Sequence, residues 1–253
     1  MYQIAALLTT ALLLVACATP ETARPVAATP GTGGYAFSAF SKGQAGSLPA
    51  GWEPVIILHQ KKPTQYRLVS KENRVVLHAR ADNASSGLMY KTLMDPAARP
   101  WLEWQWKIAD VLTRADNTRR GTEDSPVRVV LGFDGDKDSL PFSDQIMFDT
   151  AKLLTGHDFP YATLMYIWEN KAPVGSVITS PHSSRVRMMV ASQGTAGIGK
   201  WHTLSRNIIE DFEKAYGEKP GKLIGIGVLT DTDNTGDTVE AWYGDIRLLS
   251  SRN

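Results

Sequence analysis

The sequence predicts a mainly β protein: an antiparallel β-sandwich of jelly-roll type, two sheets packed face to face, with two short helices. Three observations predict it. From Tyr35 onward, apolar and polar residues alternate with period two over short runs. The runs are separated by Gly, Pro, Asn and Asp, the residues that turn a chain. Many such runs in succession close on one another as a sandwich.

The first run is YAFSAF at 35–40, followed by EPVIIL at 53–58, QYRLVS at 65–70, RVVLHARA at 74–81 and SGLMYK at 86–91. WLEWQWKI at 101–108 puts Leu102, Trp104, Trp106 and Ile108 on one face and Trp101, Glu103, Gln105 and Lys107 on the other. The leucine and isoleucine flanking the tryptophan pair mark the first face as core. After VRVVLGF at 127–133, the run SDQIMFDTAKLLTG switches to helical spacing, with Ser143 as N-cap and Gly156 as its stop. ATLMYIW at 162–168 returns to period two, with Ala162, Leu164, Tyr166 and Trp168 sharing the core face. GSVITS at 175–180 and RVRMMVAS at 185–192 follow.

GTAGIGK, from Gly194 to Lys200, matches the first seven positions of a phosphate loop, yet Trp201 stands where Ser or Thr must bind magnesium. The segment is therefore read as a hairpin turn. SRNIIEDFEKAYG, from Ser205, is the second helix, with Ile208, Ile209, Phe212 and Tyr216 on one face and Gly217 at its end. KLIGIGVL at 222–229 and TVEAWYGDIRLL at 238–249 complete the sandwich.

A formal net charge of +1 with no basic block argues against a nucleic-acid partner. The leading MYQIAALLTTALLLVAC is too short for a stable membrane span and ends in small residues, as a secretory signal does. Leu14, Val15 and Ala16 before Cys17 resemble the lipobox of bacterial lipoproteins. Residues 1–16 are thus expected to be a cleaved signal, and Cys17, the single cysteine, the acylated N-terminus that ties the protein to a membrane. Residues 17–34, rich in Ala, Pro, Thr and Gly, are expected to be a flexible tether. Ala18 after the cysteine favours the periplasmic face of the outer membrane within the cell envelope. Residues 35–253 then form one β-sandwich domain, which without disulfides stands on its core alone.

Trp104 and Trp106 in WQWK, Tyr166 and Trp168 in YIW, the segment WHTLSRNIIEDFEKAYG from Trp201, and the loop TDTDNTG followed by AWYGDI resemble the bacterial domain of unknown function 3047 family. That resemblance implies an exported or envelope-attached protein. It also implies a β-sandwich similar to carbohydrate-binding modules of the galactose-binding or lectin-like kind. It brings no catalytic residues with it.

The densest polar stretch is the loop between the last two long runs, where Asp231, Asp233 and Asp237 surround Asn234 and Gly236. Asp231, Asp233, Thr235 and Gly236 imitate the start of an EF-hand loop, but Trp242 takes the place of the closing Glu and strands flank the loop. Three readings stay open: a calcium site at Asp231, Asp233 and Asp237; polar groups for sugar hydroxyls at a groove rim; and a turn in which Asp and Asn bond their own backbone while Gly236 takes a positive φ. Trp242, beside this loop and alternating with Ala241 and Tyr243, has the setting of a half-exposed ring that stacks on a sugar. Trp201 and Arg206 are candidates for the same groove, with pairing of Arg206 to an acidic residue as the alternative. No GxSxG elbow, HExxH or Cys/His cluster is present. The expected function is non-catalytic binding of a glycan or cell-envelope polymer. The alternatives are a polysaccharide hydrolase using Asp231, Asp233 or Glu240, and a structural or assembly lipoprotein.

Overall fold

The computed structural model describes residues 34–56, 60–155 and 158–252. The expected signal, Cys17 and nearly all of the tether lie outside the described residues. Among these residues the chain forms two sheets of seven strands each, stacked as a sandwich. One sheet, called A, has the order β1 (Tyr35–Ala36), β14 (Arg247–Leu249), β6 (Trp101–Ile108), β13 (Thr238–Tyr243), β4 (Arg74–Asp82), β3 (Gln65–Lys71), with β11 (His202–Asn207) also paired to β6. The other, B, has the order β2 (Trp52–Val55), β5 (Ser85–Met94), β12 (Leu223–Asp231), β7 (Ser125–Phe133), β8 (Ala162–Glu169), β10 (Val186–Gln193), β9 (Val177–Thr179). Helices α1 (Phe142–Thr155) and α2 (Ile208–Tyr216) complete it.

Alternation decides what the sandwich buries. Leu102, Trp104, Trp106 and Ile108 of β6 meet Ala162, Leu164, Tyr166 and Trp168 of β8 in one core cluster. Trp104 lies 4.8 Å from Tyr166 and 5.4 Å from Trp106 between ring centres, spacings at which aromatic pairs add to simple burial. Trp106 Nε1 donates to Ser192 Oγ at 3.1 Å, and Tyr166 donates its hydroxyl to Asp211 at 2.8 Å, so both rings bring a polar tip inside without orphaning it.

The structure departs from the sequence reading in six places. Helix α1 already begins at Phe142, so Ser143 lies within its first turn and is not its N-cap. Only Tyr35–Ala36 of the first run is strand, because Ser38 turns the chain at φ 41° into a short 3-10 turn at Phe40–Lys42. The final run divides into β13 and β14, and Gly244, whose nitrogen donates to the Gln105 carbonyl, lies between them. The stretch before α2 is strand β11, and the cap is Asn207, whose side chain accepts from the nitrogens of Ile209 and Glu210; Ser205 sits inside the strand. GTAGIGK is not a hairpin turn, since β10 before it belongs to sheet B and β11 after it to sheet A. Finally, β10 runs parallel to β8, because the chain first lays down β9 on the outer edge and then returns between them.

Truncating Trp104, fully buried between the sheets, removes the centre of this seam. Trp104→Ala is expected to lower unfolding free energy by about 3–5 kcal/mol, read as a reduced midpoint with an unchanged slope in chemical denaturation.

Candidate functional site

The residues singled out from the sequence separate into two groups on opposite sides of the sandwich, with Arg206 in neither. Arg206 donates through Nε to Asp211 at 2.8 Å, and Asp211 also holds the Tyr166 hydroxyl. It is a structural pair at the start of α2, the alternative its sequence position allowed.

The acidic loop caps the end of β12. Asp231 is buried, and both of its oxygens face the Arg128 guanidinium at 3.1 Å while one also accepts from the Ser125 nitrogen. Asp233 pairs with Lys61 at 3.0 Å, and Asp237 turns away to pair with Arg114 at 2.6 Å. Gly236 takes the positive φ of the turn reading, 69°, but the Asp and Asn side chains bond residues outside the loop and not its own backbone. The partner of Asp231 and Asp233 is Asp124, from the loop before β7; one ligand oxygen from each of the three lies within 4.8 Å of the others. The calcium set expected from the sequence is thereby corrected: Asp124 belongs to the cluster and Asp237 does not. Asn234, exposed, donates its side-chain amide to Asp124 and to the Glu123 carbonyl, and Thr235 donates its backbone nitrogen to Asp124.

These groups open onto a cleft of about 470 Å³ lined by Lys61, Glu123, Ser180, His182, Asp231 and Asp233. Glu123 accepts from Ser180 Oγ at 3.1 Å and lies 3.3 Å from His182 Nε2. Burial pushes the Asp231 carboxyl up to about 7 against the pull of Arg128. Arg128, whose charge burial opposes, is nonetheless raised by Asp231 and by Glu123 and Asp124, so it stays charged.

Trp242 and Trp201 are on the other side, on the solvent face of sheet A. Because Ala241 and Tyr243 enter the core, Trp242 points outward. Cross-strand register then sets a row: Lys107 opposite Trp242, Trp242 opposite His78, His78 opposite Arg67. Trp201, one residue before β11, continues the row beyond Lys107, because His202 pairs with Trp106. Trp242 stacks on His78 with ring centres 5.4 Å apart, and Lys71 Nζ stands 3.8 Å above its ring. The tip of the β3–β4 hairpin folds over this face. Glu72 there accepts from Lys107 Nζ and from Trp201 Nε1, each at 2.6 Å, while Arg74 lies 4.0 Å over the Trp201 ring and donates to Gln105. Glu72 and Asn73 adopt φ of 50° and 63°, the left-handed pair of a tight hairpin turn that favours Asn-Gly. A glutamate accepts that geometry here where its carboxylate bridges two strands. Hydrogen bonds from Lys107 and Trp201 hold the Glu72 carboxyl below its usual range. Burial lowers His78, opposed by Glu240. His78 Nε2 is buried with no hydrogen-bond partner among the described residues, Glu240 being 3.7 Å away.

Sequence reasoning missed Arg128, Lys61, Glu72, Lys107 and His78 as site members. Each is assembled by strand register or by a distant loop, and no local motif marks it.

The chain belongs to the family described as protein of unknown function (DUF3047), whose model matches residues 50–247. No curated protein matches it. Among solved structures it is similar to the family 11 carbohydrate-binding module of the cellulosomal cellulase Lic26A-Cel5E of Clostridium thermocellum, at 7% identity over 87% of this chain and 96% of that one, TM-score 0.43. It is similar to the xyloglucanase domain of NopAA, a type three effector from Sinorhizobium fredii, at 11% identity over 82% and 98%, TM-score 0.42. It is also similar to endoglucanase 3 from family GH12 of Trichoderma harzianum, at 9% identity over 80% and 92%, TM-score 0.41. Likeness at this level transfers no residue and no activity.

Two outcomes follow from the acid cluster. Between the unfolded carboxyl value near 3.8 and about 7, the folded chain keeps a proton on Asp231 that the unfolded chain has lost. This group therefore favours the fold most below about pH 4 and loses that contribution as pH rises through about 7. Asp231→Asn should flatten the decline in unfolding free energy measured between those limits. Lys61 stands where a cation would pair with Asp233, so Lys61→Ala should raise the thermal midpoint gained on adding millimolar calcium above the gain of the unmodified protein.

Proposed function

We propose that this domain binds an extended, negatively charged glycan of the cell envelope, without catalysis, on the solvent face of sheet A. The observation that carries the reading is the row Trp201, Lys107, Trp242, His78 and Arg67, which sets indole rings and polar side chains on one continuous surface. Aromatic faces with planar hydrogen-bonding groups between them suit a sugar, whose ring has an apolar face and a hydroxylated edge. Gln105, which donates to Thr203 at 3.1 Å, supplies such a group. Pockets of about 170 Å³, lined in part by Arg74, Gln105 and Asp245, and about 50 Å³, lined in part by Arg67 and His78, flank the row.

Charge selects the class of glycan. Arg67, Lys71, Arg74, Arg80, Lys107 and Arg247 stand on this surface against Glu72, Glu103, Glu240 and Asp245, a positive excess that favours a ligand bearing carboxylates over a neutral one. The hydrolase reading needs two carboxylates facing across one cleft. Glu240 lies beside His78 and Arg80 on sheet A, whereas Asp231 and Asp233 open on the far side and are matched by Arg128 and Lys61. Attachment of the domain through an acylated Cys17 fits this reading by keeping the row close to envelope polymers.

Calorimetric titration with uronate-bearing and neutral oligosaccharides tests it. The expected result is tighter binding of the uronate series, weakening with added salt, with a loss of at least about fivefold in Trp242→Ala, a stacking contribution of about 1 kcal/mol or more. No binding of any member, or binding untouched by Trp242→Ala, contradicts the assignment.

A further inference from the structure

The solvent face of sheet B carries a second feature. Ile226 and Val228 of β12 enter the core, so Gly225, Gly227 and Leu229 face out. Register aligns Gly225 with Gly132 of β7, and Gly227 with Met89 of β5 and Val130 of β7. Val130 in turn aligns with Met165, and Leu229 with Gly87. Four glycines in strand interiors weaken a sheet unless something must lie close to the backbone. Here they floor a trough of about 440 Å³ whose walls include Val55, Met89, Val130, Met165 and Leu229. A side chain would intrude on its neighbours: a Cβ on Gly227 comes within 3.0 Å of the Leu88 carbonyl and the Met89 methyl, and one on Gly87 within 2.7 Å of the Val228 carbonyl. Met165 also lines the acid cleft at the end of β12, so trough and cleft adjoin at this side chain. From Gly225 to Asp231 the strand rises about 20 Å.

We propose that this cleft binds a single-chain amphiphile, its alkyl chain along the glycine trough and a neutral, hydroxylated head in the acid cleft. Thioethers suit a flexible chain because they follow irregular apolar shapes, and the trough walls bring two, Met89 and Met165. The head follows from charge. The cleft lining carries Glu123, Asp231 and Asp233 against Lys61, with Arg128 behind Asp231, which disfavours a carboxylate head. Asp233 is already paired with Lys61, and Glu123 sits against His182 and Ser180, so a head bringing its own positive charge competes with those contacts. Hydroxyl groups donate to the same carboxylates and leave the pairs in place.

The test uses the full chain and alkyl glucosides of eight to twelve carbons, below their micelle concentrations, by calorimetry. Affinity should rise about fourfold per added methylene, and dodecanoate and dodecyltrimethylammonium should bind more weakly than the glucoside of equal chain length. Gly227→Leu fills the trough and should abolish binding. Should that variant fail to fold, Met165→Glu, at a partly exposed position, places a charge at the junction and should do the same. Affinity independent of chain length, equal binding of all three heads, or unchanged binding in a folded Gly227→Leu or Met165→Glu overturns the proposal.

Discussion

Every surface of interest depends on one constraint, the period-two alternation across the aromatic seam. Burying Trp106 commits Gln105 and Lys107 to solvent, burying Tyr243 commits Trp242, and burying Leu77 commits its neighbour His78 to the outer side. The same rule on sheet B turns Ile226 and Val228 inward and leaves the glycines of β12 outside. A register slip of one residue would exchange the two sets, placing lysine between the sheets and tryptophan core in water. The seam therefore specifies the outer rows as firmly as it specifies the core.

Electrostatics then distinguishes the two faces. Sheet A gathers cations around two indoles, with Glu72 as the bridge that draws the hairpin tip over Lys107 and Trp201. Sheet B ends in carboxylates answered by a buried arginine and a half-buried lysine. Asp231 accepts from Arg128 through both oxygens and from the Ser125 nitrogen inside the sandwich. Those bonds tie the acid loop to the body of the sandwich and make its conformation part of the fold.

The sequence showed the sandwich, the inward set of β6 and β8, both helices and the turn at Gly236, because each rests on local periodicity or a local backbone preference. It concealed β11, whose polar alternation His202 to Asn207 runs straight into a helix and takes its identity from pairing with β6. It also joined Trp242 to the acid loop, since eleven positions of sequence separate Asp231 from Trp242 but opposite faces of the sandwich separate them in space. Lys61 and Arg128 reach the acid cluster through tertiary contacts, which no spacing rule in one sequence reveals.

The seven tryptophans offer the most direct test of the central claim, that ligand meets the solvent face of sheet A. Their indole N–H signals, assigned by single substitutions in a nitrogen-15 spectrum, can be followed during titration with a uronate oligosaccharide. The Trp201 and Trp242 signals should move, while those of Trp104, Trp106 and Trp168, held in the core, stay in place. Saturable binding that leaves Trp201 and Trp242 unmoved would contradict it.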